Sequence, residues 1–293
     1  MTATITTSDG RTLAYCEWGD PAGVPVFSLH GTPGSRLSRH PDEDVYRQSG
    51  VRAITYDRPG YGASTRHPGR RVADAAGDVV AIADALRLQR FAVYGGSGGA
   101  PHSLACGALI PDRVTRCASV VGPAPFGEEG LPADQWFDGM VEGNVREFGW
   151  AIEGEQALRP ELEREAPEII ASLESDSDTP LGADYSLSAK DLEALRQGQL
   201  RAVMAISVKE AIGRSVDGAV DDDLAFARPW GFDVAAITVP VAVWYGPHDT
   251  LVPTGHGEWL ARTIPGAEVV VLDGGHFAVY ERLAELLAWL TAG

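Results

Sequence analysis

Short apolar runs alternate with helical patterns in the first half of the chain. After a first predicted strand at Thr12–Trp18, four compact runs have strand character: Val24–Leu29, Val51–Tyr56, Phe91–Tyr94 and Cys117–Val121. The intervening segment Val72–Leu88 has apolar residues at helical spacing. Strands that alternate with helices favour a parallel sheet covered on both faces, so we predict an α/β fold.

The same alternation returns near the C-terminus. Val239–Tyr245 and Glu268–Leu272 are predicted strands, while His256–Thr263 and Phe277–Leu290 are predicted helices. Both ends of the chain therefore contribute to one sheet.

Residues 124–232 show no convincing strand pattern. Three segments have helical patterns instead: Asp134–Ala151, Gln156–Leu173 and Ser188–Ile212, the last with Ser188 as a candidate N-cap and Asp191 in its first turn. We predict that residues 1–123 and 233–293 form one core domain, and that residues 124–232 form a helical cap inserted into it.

Composition narrows the range of partners. The 293 residues carry 24 Lys and Arg against 41 Asp and Glu, a net charge of −17. Residues 124–232 hold −14 of that charge, including the acidic segments Glu161–Glu168 and Asp221–Asp223, and we expect many of these acidic residues to be solvated. An acidic surface repels phosphate backbones and anionic lipids, so we expect no nucleic-acid partner and no membrane partner. An acidic cap favours a neutral or cationic small-molecule substrate.

Cysteine usage and the N-terminus bear on the compartment. Cys16, Cys106 and Cys117 form no CxxC pair and read as small buried hydrophobes, which favours a reducing compartment. The first ten residues lack the pattern of a signal peptide, and no apolar run approaches the ~20 residues that span a bilayer. We expect a cytoplasmic protein. Its oligomeric state has no signature in the sequence.

The strongest local signal is Gly95-Gly96-Ser97-Gly98-Gly99, between a predicted strand and a helix. This is a G-x-S-x-G motif in its required strand–turn–helix context. A serine on such a sharp turn projects its hydroxyl from the carboxyl edge of the sheet, and its neighbours must lack bulk. A phosphate-binding loop would need a lysine that is absent here. Ser97 is therefore the candidate nucleophile.

A serine nucleophile needs a base, and the base needs an orienting acid. Asp249 and His276 each follow a predicted C-terminal strand, so both should lie at the edge that presents Ser97. The order Ser, Asp, His is that of the α/β-hydrolase fold. Among the other histidines, His102 is expected to pack or cap, and His256 to lie at the surface or in a loop. No metal-ligand spacing occurs, so we expect no metal and no cofactor.

A tetrahedral intermediate also needs hydrogen-bond donors for its oxyanion. The backbone N–H of Gly98 is one candidate, at the start of the helix after the elbow. The second is the N–H of Thr32, in His30-Gly31-Thr32-Pro33-Gly34 after the strand Val24–Leu29, because Pro33 has no N–H to give.

Together these segments resemble the α/β-hydrolase superfamily along nearly the whole chain. The resemblance rests on the His30–Gly34 loop, the segment Asp57-Arg58-Pro59-Gly60-Tyr61-Gly62-Ala63-Ser64, the Ser97 elbow, Asp249 and His276. It implies a mostly parallel eight-stranded sheet flanked by helices, and the capped, esterase-type branch of the superfamily. In that family the Asp57–Ser64 loop is structural and lines the base of the site.

The chain is also similar to the proline iminopeptidases in its His-Gly-x-Pro-Gly loop and Gly-Gly-Ser elbow. Those peptidases usually carry tryptophan where Gly98 stands here, and Asp-Gln-Arg-Gly where this chain has Asp57-Arg58-Pro59-Gly60. Epoxide hydrolases and dehalogenases, which also resemble this fold, carry aspartate in place of the elbow serine. These departures make an esterase the preferred interpretation.

We therefore expect a serine hydrolase that cleaves a carboxylic ester of a small neutral molecule. The alternatives are an aminopeptidase of the proline iminopeptidase kind, a lactonase, a carbon–carbon bond hydrolase or a cofactor-free haloperoxidase on the same triad, and a ligand-binding relative with a vestigial triad. Five residues near the start of the cap could roof an apolar acyl pocket or pack the cap onto the core: Trp136, Phe137, Met140, Phe148 and Trp150.

Overall fold

Eight strands and eleven α-helices make up the described chain in a computed structural model, which describes residues 2–175, 179–181, 184–196 and 199–292. The strands are β1 (Ala3–Thr6), β2 (Thr12–Gly19), β3 (Val24–Leu29), β4 (Val51–Tyr56), β5 (Phe91–Gly96), β6 (Val114–Val120), β7 (Val241–Tyr245) and β8 (Glu268–Val271). The helices are α1 (Asp44–Gln48), α2 (Ala75–Ala85), α3 (Ala100–Leu109), α4 (Ala133–Trp136), α5 (Glu142–Glu153), α6 (Glu155–Glu174), α7 (Ala189–Arg196), α8 (Gln199–Ile212), α9 (Asp217–Phe226), α10 (Thr254–Thr263) and α11 (Leu283–Thr291).

All eight strands belong to one sheet, in the order β1-β2-β4-β3-β5-β6-β7-β8. β2 runs antiparallel to both of its neighbours, and β3 to β8 are mutually parallel. The predicted eight-stranded, mostly parallel sheet is confirmed. The parallel strands end at the same edge, where ligands of open α/β sheets bind.

Both faces of the sheet are buried, which explains why its central strands read as continuous apolar runs. On β3, Phe27 packs into one core layer with Val79 of α2 and Leu104 of α3. The adjacent Val26 points to the opposite face, where it belongs to the layer that includes Leu287 of α11. The helices on the two faces therefore fix the sheet, and with it the edge that carries the candidate site.

The helices α4–α9, all between β6 and β7, form a helical insertion that we call the cap. The cap has an apolar core of its own, to which α6, α8 and α9 contribute Leu158, Val208 and Val220. Its first and last segments instead pack into the main core through Trp136 and Trp230. The insertion is thus anchored at both ends, and the domain division at residues 124 and 232 stays a prediction. In the described ranges, no helix combines the length and the apolarity that a membrane crossing needs.

Two local predictions differ from the structure. The single helix expected over Asp134–Ala151 is wrong, because the chain turns at Gly139, where φ is +80°, and separates α4 from α5. The helical pattern over Ser188–Ile212 agrees with α7 and α8, and residues 197–198 between them lie outside the described residues. The surface position expected for His256 is also wrong: its ring is fully buried, accepts from the Ala124 N–H at 3.0 Å and donates to the Trp136 carbonyl at 2.8 Å.

Candidate active site

Ser97 occupies a sharp turn at the carboxyl end of β5. Its φ of +53° lies in the left-handed region that non-glycine residues seldom adopt. Two of the flanking glycines, Gly95 and Gly99, are needed because other backbone approaches them closely. A Cβ on Gly95 would lie 2.0 Å from the Gly99 carbonyl oxygen, and one on Gly99 would lie 2.1 Å from the Leu29 carbonyl oxygen. The elbow therefore has the geometry that its sequence predicts.

His276 and Asp249, from the loops after β8 and β7, are in direct contact. The imidazole Nδ1 lies 2.8 Å from the Asp249 Oδ2. The other carboxylate oxygen accepts the N–H groups of Leu251 and Val252, each at 2.9 Å. Asp249 is therefore held by its own loop. An Nδ1–H that donates to this carboxylate leaves Nε2 free to accept a proton.

The surroundings of His276 stabilise its charged form. Burial by itself lowers the pKa of the imidazole, but the adjacent Asp249 carboxylate opposes that effect through its charge and its hydrogen bond. A second carboxylate, Asp191, acts in the same direction, and the pKa of His276 ends above its ordinary value. The ring is suited to accept a proton and hold it.

Ser97 and His276 both line a cavity of about 270 Å³ between the sheet edge and the cap. The core side of the cavity includes Gly31, Thr32 and Ser97. A Cβ on Gly31 would lie 3.4 Å from the Ser97 Cβ, so the loop after β3 lies against the elbow. The cap side is largely apolar and includes Leu162, Ala166, Ile169, Met204, Val208 and Ile212. The cavity can therefore hold an apolar group next to the serine.

A smaller recess of about 50 Å³ adjoins the elbow and is lined by Thr32, Ser97 and Gly98. Three of the five residues predicted to roof an acyl pocket line this recess and not the larger cavity: Trp136, Met140 and Phe148. The other two predicted residues, Phe137 and Trp150, line neither the recess nor the larger cavity.

These aromatic residues serve mainly to pack the cap. Trp136 is almost fully buried, and its indole N–H donates to the Ala124 carbonyl at 2.9 Å. Phe137 and Phe148 pack edge-on against it, with ring centroids 5.1 and 4.7 Å away. The guanidinium of Arg146 lies over the Trp150 ring, with its Cζ 5.6 Å from the centroid of that ring. The walls of the larger cavity come instead from α6 and α8, which the sequence does not distinguish from other cap helices.

The two proposed oxyanion donors belong to segments in contact. A Cβ on Gly98 would lie 3.1 Å from the Thr32 nitrogen and 2.3 Å from its Oγ1. Glycine at position 98 therefore lets the loop after β3 approach the elbow.

A buried ionic cluster below the site was missed by sequence reasoning. Arg58 and Arg70 each place a guanidinium nitrogen 2.6 Å from Asp222, which lies on α9 of the cap and is fully buried. The Thr32 and Tyr61 hydroxyls also donate to its Oδ2, each at 2.7 Å. Burial raises the pKa of Asp222, but the two arginines hold it well below its usual range.

The expectation of solvated acidic residues is wrong for the run Asp221–Asp223: all three residues are buried. The signal was available in the Asp57–Ser64 segment. An arginine in a loop that lines the base of a site needs a counter-charge, and the run on α9 supplies it.

A pair of acidic residues, Asp223 and Glu147, borders the recess. No amide, guanidinium or hydroxyl group in the described part of the chain donates to either oxygen of Asp223, which is 1% exposed. Its neighbour Glu147 is half-buried and accepts the Tyr185 hydroxyl at 3.1 Å. Burial raises the pKa of both carboxyls. The charge of Glu165 adds to this effect at Glu147, while the charges of Glu147 and Asp222 raise the pKa of Asp223 well above its ordinary value. The pair holds a proton easily, and a ligand cation could replace that proton.

Known proteins match this architecture. A family model described as alpha/beta hydrolase fold matches residues 24–151. A proline iminopeptidase of Xylella fastidiosa is 34% identical over 114 residues, which cover 36% of this chain and 35% of that protein. A non-heme chloroperoxidase of Streptomyces lividans is 31% identical over 50% of this chain and 56% of its own. The chain thus spans only about a third to a half of these two relatives.

The structural likeness extends over the whole chain. An alpha/beta hydrolase fold protein from Nakamurella multipartita, solved experimentally, superposes with a TM-score of 0.64 at 27% identity, covering 98% of this chain and 99% of that one. The predicted fold class is confirmed.

Proposed function

Because the chain has the α/β-hydrolase fold, we propose that it is a serine hydrolase that cleaves a carboxylic ester of a small neutral or cationic molecule. Ser97 is the nucleophile, His276 the general base and Asp249 the group that orients and stabilises the imidazolium. The backbone N–H groups of Thr32 and Gly98 bind the oxyanion. No step calls for a metal or a cofactor.

In the acylation half, the Ser97 Oγ attacks the acyl carbon while His276 Nε2 accepts its proton. The carbonyl electron pair moves onto the oxygen, which the two N–H groups stabilise. The intermediate then expels the alcohol oxygen, which takes the proton from His276. An acyl-enzyme on Ser97 and a free alcohol result.

In the deacylation half, water attacks the acyl carbon and gives a proton to His276. Collapse of the second tetrahedral intermediate returns that proton to the Ser97 oxygen and releases a carboxylic acid. The raised pKa of His276 suits both halves, because the ring must take up a proton and return it in each one.

One observation carries the proposal: Ser97, on a strained elbow, shares a cavity with an imidazole held 2.8 Å from Asp249. The apolar wall given by the cap supports an apolar acyl or alcohol group in the substrate. The negative charge of the cap supports the exclusion of carboxylates and phosphates from that substrate.

The test is turnover of a short p-nitrophenyl ester. Replacing any one member of such a triad removes most of the catalysis, so we expect Ser97→Ala to lower kcat by about 10⁴-fold or more. Ser8→Ala, at an exposed position near the N-terminus, is the matched control and should leave kcat unchanged. Wild-type turnover by Ser97→Ala would refute the proposal.

The acidic pair at the recess favours a second candidate, an aminopeptidase. A substrate ammonium would give Asp223 and its neighbour Glu147 a counter-charge next to Ser97. Proline iminopeptidase is also the name of one relative, although that match covers 35% of its length. A panel of prolyl and alanyl anilides against neutral acyl esters separates the candidates. A more than tenfold preference in kcat/KM for the anilides would favour the peptidase.

The other reactions that the sequence leaves open use the same three residues. A lactonase would hydrolyse a cyclic ester, and a carbon–carbon bond hydrolase would expel a carbanion. In a cofactor-free haloperoxidase, hydrogen peroxide would attack the acyl-enzyme in place of water and release a peracid. A ligand-binding protein with a vestigial triad would fail the ester assay altogether. A neutral ester remains the first choice, because the larger cavity has apolar walls next to Ser97.

A further inference from the structure

A cap residue outside the triad grips the loop that carries His276. Asp191, in the first turn of α7, is 1% exposed. One of its oxygens accepts the backbone N–H of Phe277 at 2.8 Å, and the other accepts the N–H of His276 at 3.1 Å. The carboxylate therefore bridges two consecutive N–H groups of the histidine loop across the boundary between cap and core.

Local geometry fixes this carboxylate in turn. The Ser188 hydroxyl donates to its Oδ2 at 2.8 Å, and the Asp191 N–H donates to the Ser188 Oγ at 3.2 Å, as in an N-terminal cap of α7. The carboxylate lies directly over Gly275, where a Cβ would be 2.0 Å from the Asp191 Oδ2. Position 275 must therefore be glycine for Asp191 to reach the loop.

The contact bears on the chemistry of the imidazole in two ways. First, the ring direction of His276 depends on its backbone, and Asp191 fixes the backbone at that residue and the next. Second, Asp191 and Asp249 are the two carboxylates whose charges raise the pKa of this ring, Asp249 more strongly. The nearby Lys190 and Asp273 pair with each other at the surface, where water screens them.

We propose that Asp191 is a positioning residue for the general base: the cap carboxylate holds the backbone of His276 so that the imidazole stays against Asp249 and faces Ser97. The inference rests on the proposed function, because it assigns a role in the same triad. It implies that α7 of the cap helps to assemble the site.

The experiment measures the rate at which a neutral p-nitrophenyl phosphonate diester labels Ser97, from pH 5 to pH 9. Labelling needs the nucleophile and its base but no particular substrate. We compare the wild type with Asp191→Ala, Asp191→Asn and the control Asp273→Asn. The control removes a carboxylate from the same loop, at an exposed position that also bonds α7.

Small displacements of a reacting group can cost about a hundredfold in rate, so we expect Asp191→Ala to label about ten to a hundred times more slowly. The half-saturating phosphonate concentration should stay within about threefold, since the absence of a hydrogen bond behind the ring affects reaction more than binding. Asp191→Asn should be intermediate, because its amide oxygen still accepts one N–H. In both Asp191 variants the pH midpoint of labelling should fall. In Asp273→Asn neither the labelling rate nor the pH midpoint should change.

Circular dichroism and the melting temperature separate positioning from folding. Where Asp191→Ala does not fold, the isosteric Asp191→Asn decides the question. A folded Asp191→Asn that labels at the wild-type rate and with the wild-type midpoint overturns the inference, even if it melts earlier. A wild type that does not label at all would overturn the proposed function itself, which is a different result.

Discussion

The side-chain hydroxyl of Thr32 donates a 2.7 Å hydrogen bond to the carboxylate of Asp222, a residue 190 positions further along the chain. Thr32 carries a proposed oxyanion donor, and Asp222 lies on α9 of the cap. The guanidinium of Arg58 bridges the same two groups, at 3.1 Å from the Thr32 Oγ1 and 2.6 Å from the Asp222 Oδ2. The cap thus holds the loop after β3 from one side.

Removing the charge of Asp222 should destabilise the whole fold. Asp222→Asn leaves the buried guanidinium groups of Arg58 and Arg70 without their counter-charge, so we expect a loss of about 3–5 kcal/mol in the free energy of unfolding. Urea denaturation measures it. Asp217→Asn on the same helix breaks partly exposed ion pairs with Arg66 and Arg159 and should cost less than about 1 kcal/mol. Equal losses in the two variants would contradict this account of the cluster.

Glycine at position 98 should be essential for turnover. In Gly98→Ala the new methyl group would meet the Thr32 Oγ1 at 2.3 Å and its Cβ at 2.8 Å, so the two proposed oxyanion donors must move apart. Loss of one such donor costs about 10²–10³-fold in kcat, and we expect a fall of that size with an ester substrate. Gly77→Ala, at an exposed helical position with free space around it, is the control and should keep full activity. A Gly98→Ala enzyme with more than a third of wild-type kcat would argue against this oxyanion hole.

The Asp223 carboxyl should lower the free energy of unfolding as the pH rises. Burial and Glu147 raise its pKa, so the folded protein binds a proton that the unfolded chain releases at lower pH. The stability from this group is complete below the ordinary carboxyl pKa and is lost as the pH rises through the raised value. Asp223→Asn removes this loss.

The melting temperature of Asp223→Asn should therefore exceed that of the wild type, and by more at pH 8.5 than at pH 5.5. Glu153→Gln, an exposed change at the end of α5, should show no such trend. A difference that shrinks with pH would mean that Asp223 is charged and well compensated in the free protein. Under the aminopeptidase alternative, Asp223→Asn should also lose amine-bearing substrates while it keeps neutral esters.

The pH profile of ester hydrolysis should report His276. Since Asp249 raises its pKa above the ordinary value, the acid limb of kcat/KM should have its midpoint above about 6.5. Asp249→Asn keeps the shape of the side chain but removes the charge that selects the Nδ1–H tautomer. We expect a loss of about 10⁴-fold in kcat and a lower midpoint. An unchanged midpoint in Asp249→Asn would mean that the acid limb does not report the protonation of His276.

The sheet and the elbow could be predicted because their signals are local. Strands of a parallel sheet end at one edge, so the positions of Ser97, Asp249 and His276 after predicted strands were enough to bring them to one edge. Gly95 makes room for the Gly99 carbonyl of the same turn, so the glycine pattern marks the turn itself. No knowledge of distant partners was needed for either.

The sequence indicates that Arg58 needs a counter-charge, but it does not say which cap carboxylate supplies that charge, because the partners are distant along the chain. Asp191 bonds a residue 85 positions away and Asp222 one 190 positions away, so each resembles a surface charge on an acidic helix. The walls of the larger cavity could not be predicted either, because the sequence does not distinguish α6 and α8 from the other cap helices. Gly139 interrupts the expected helix, so Trp136 and Phe148 lie on separate helices, where they pack against each other and border the smaller recess.

The central claim is that Ser97 is a nucleophile activated by His276, and intact-protein mass spectrometry tests it most directly. After treatment with the p-nitrophenyl phosphonate, the wild type should gain the mass of one phosphonyl group, and peptide mapping should place that group on Ser97. Ser97→Ala should gain nothing, and His276→Ala should react at least a hundredfold more slowly. A wild type that stays unlabelled would contradict the account. So would a Ser97→Ala variant that is labelled to the same extent as the wild type.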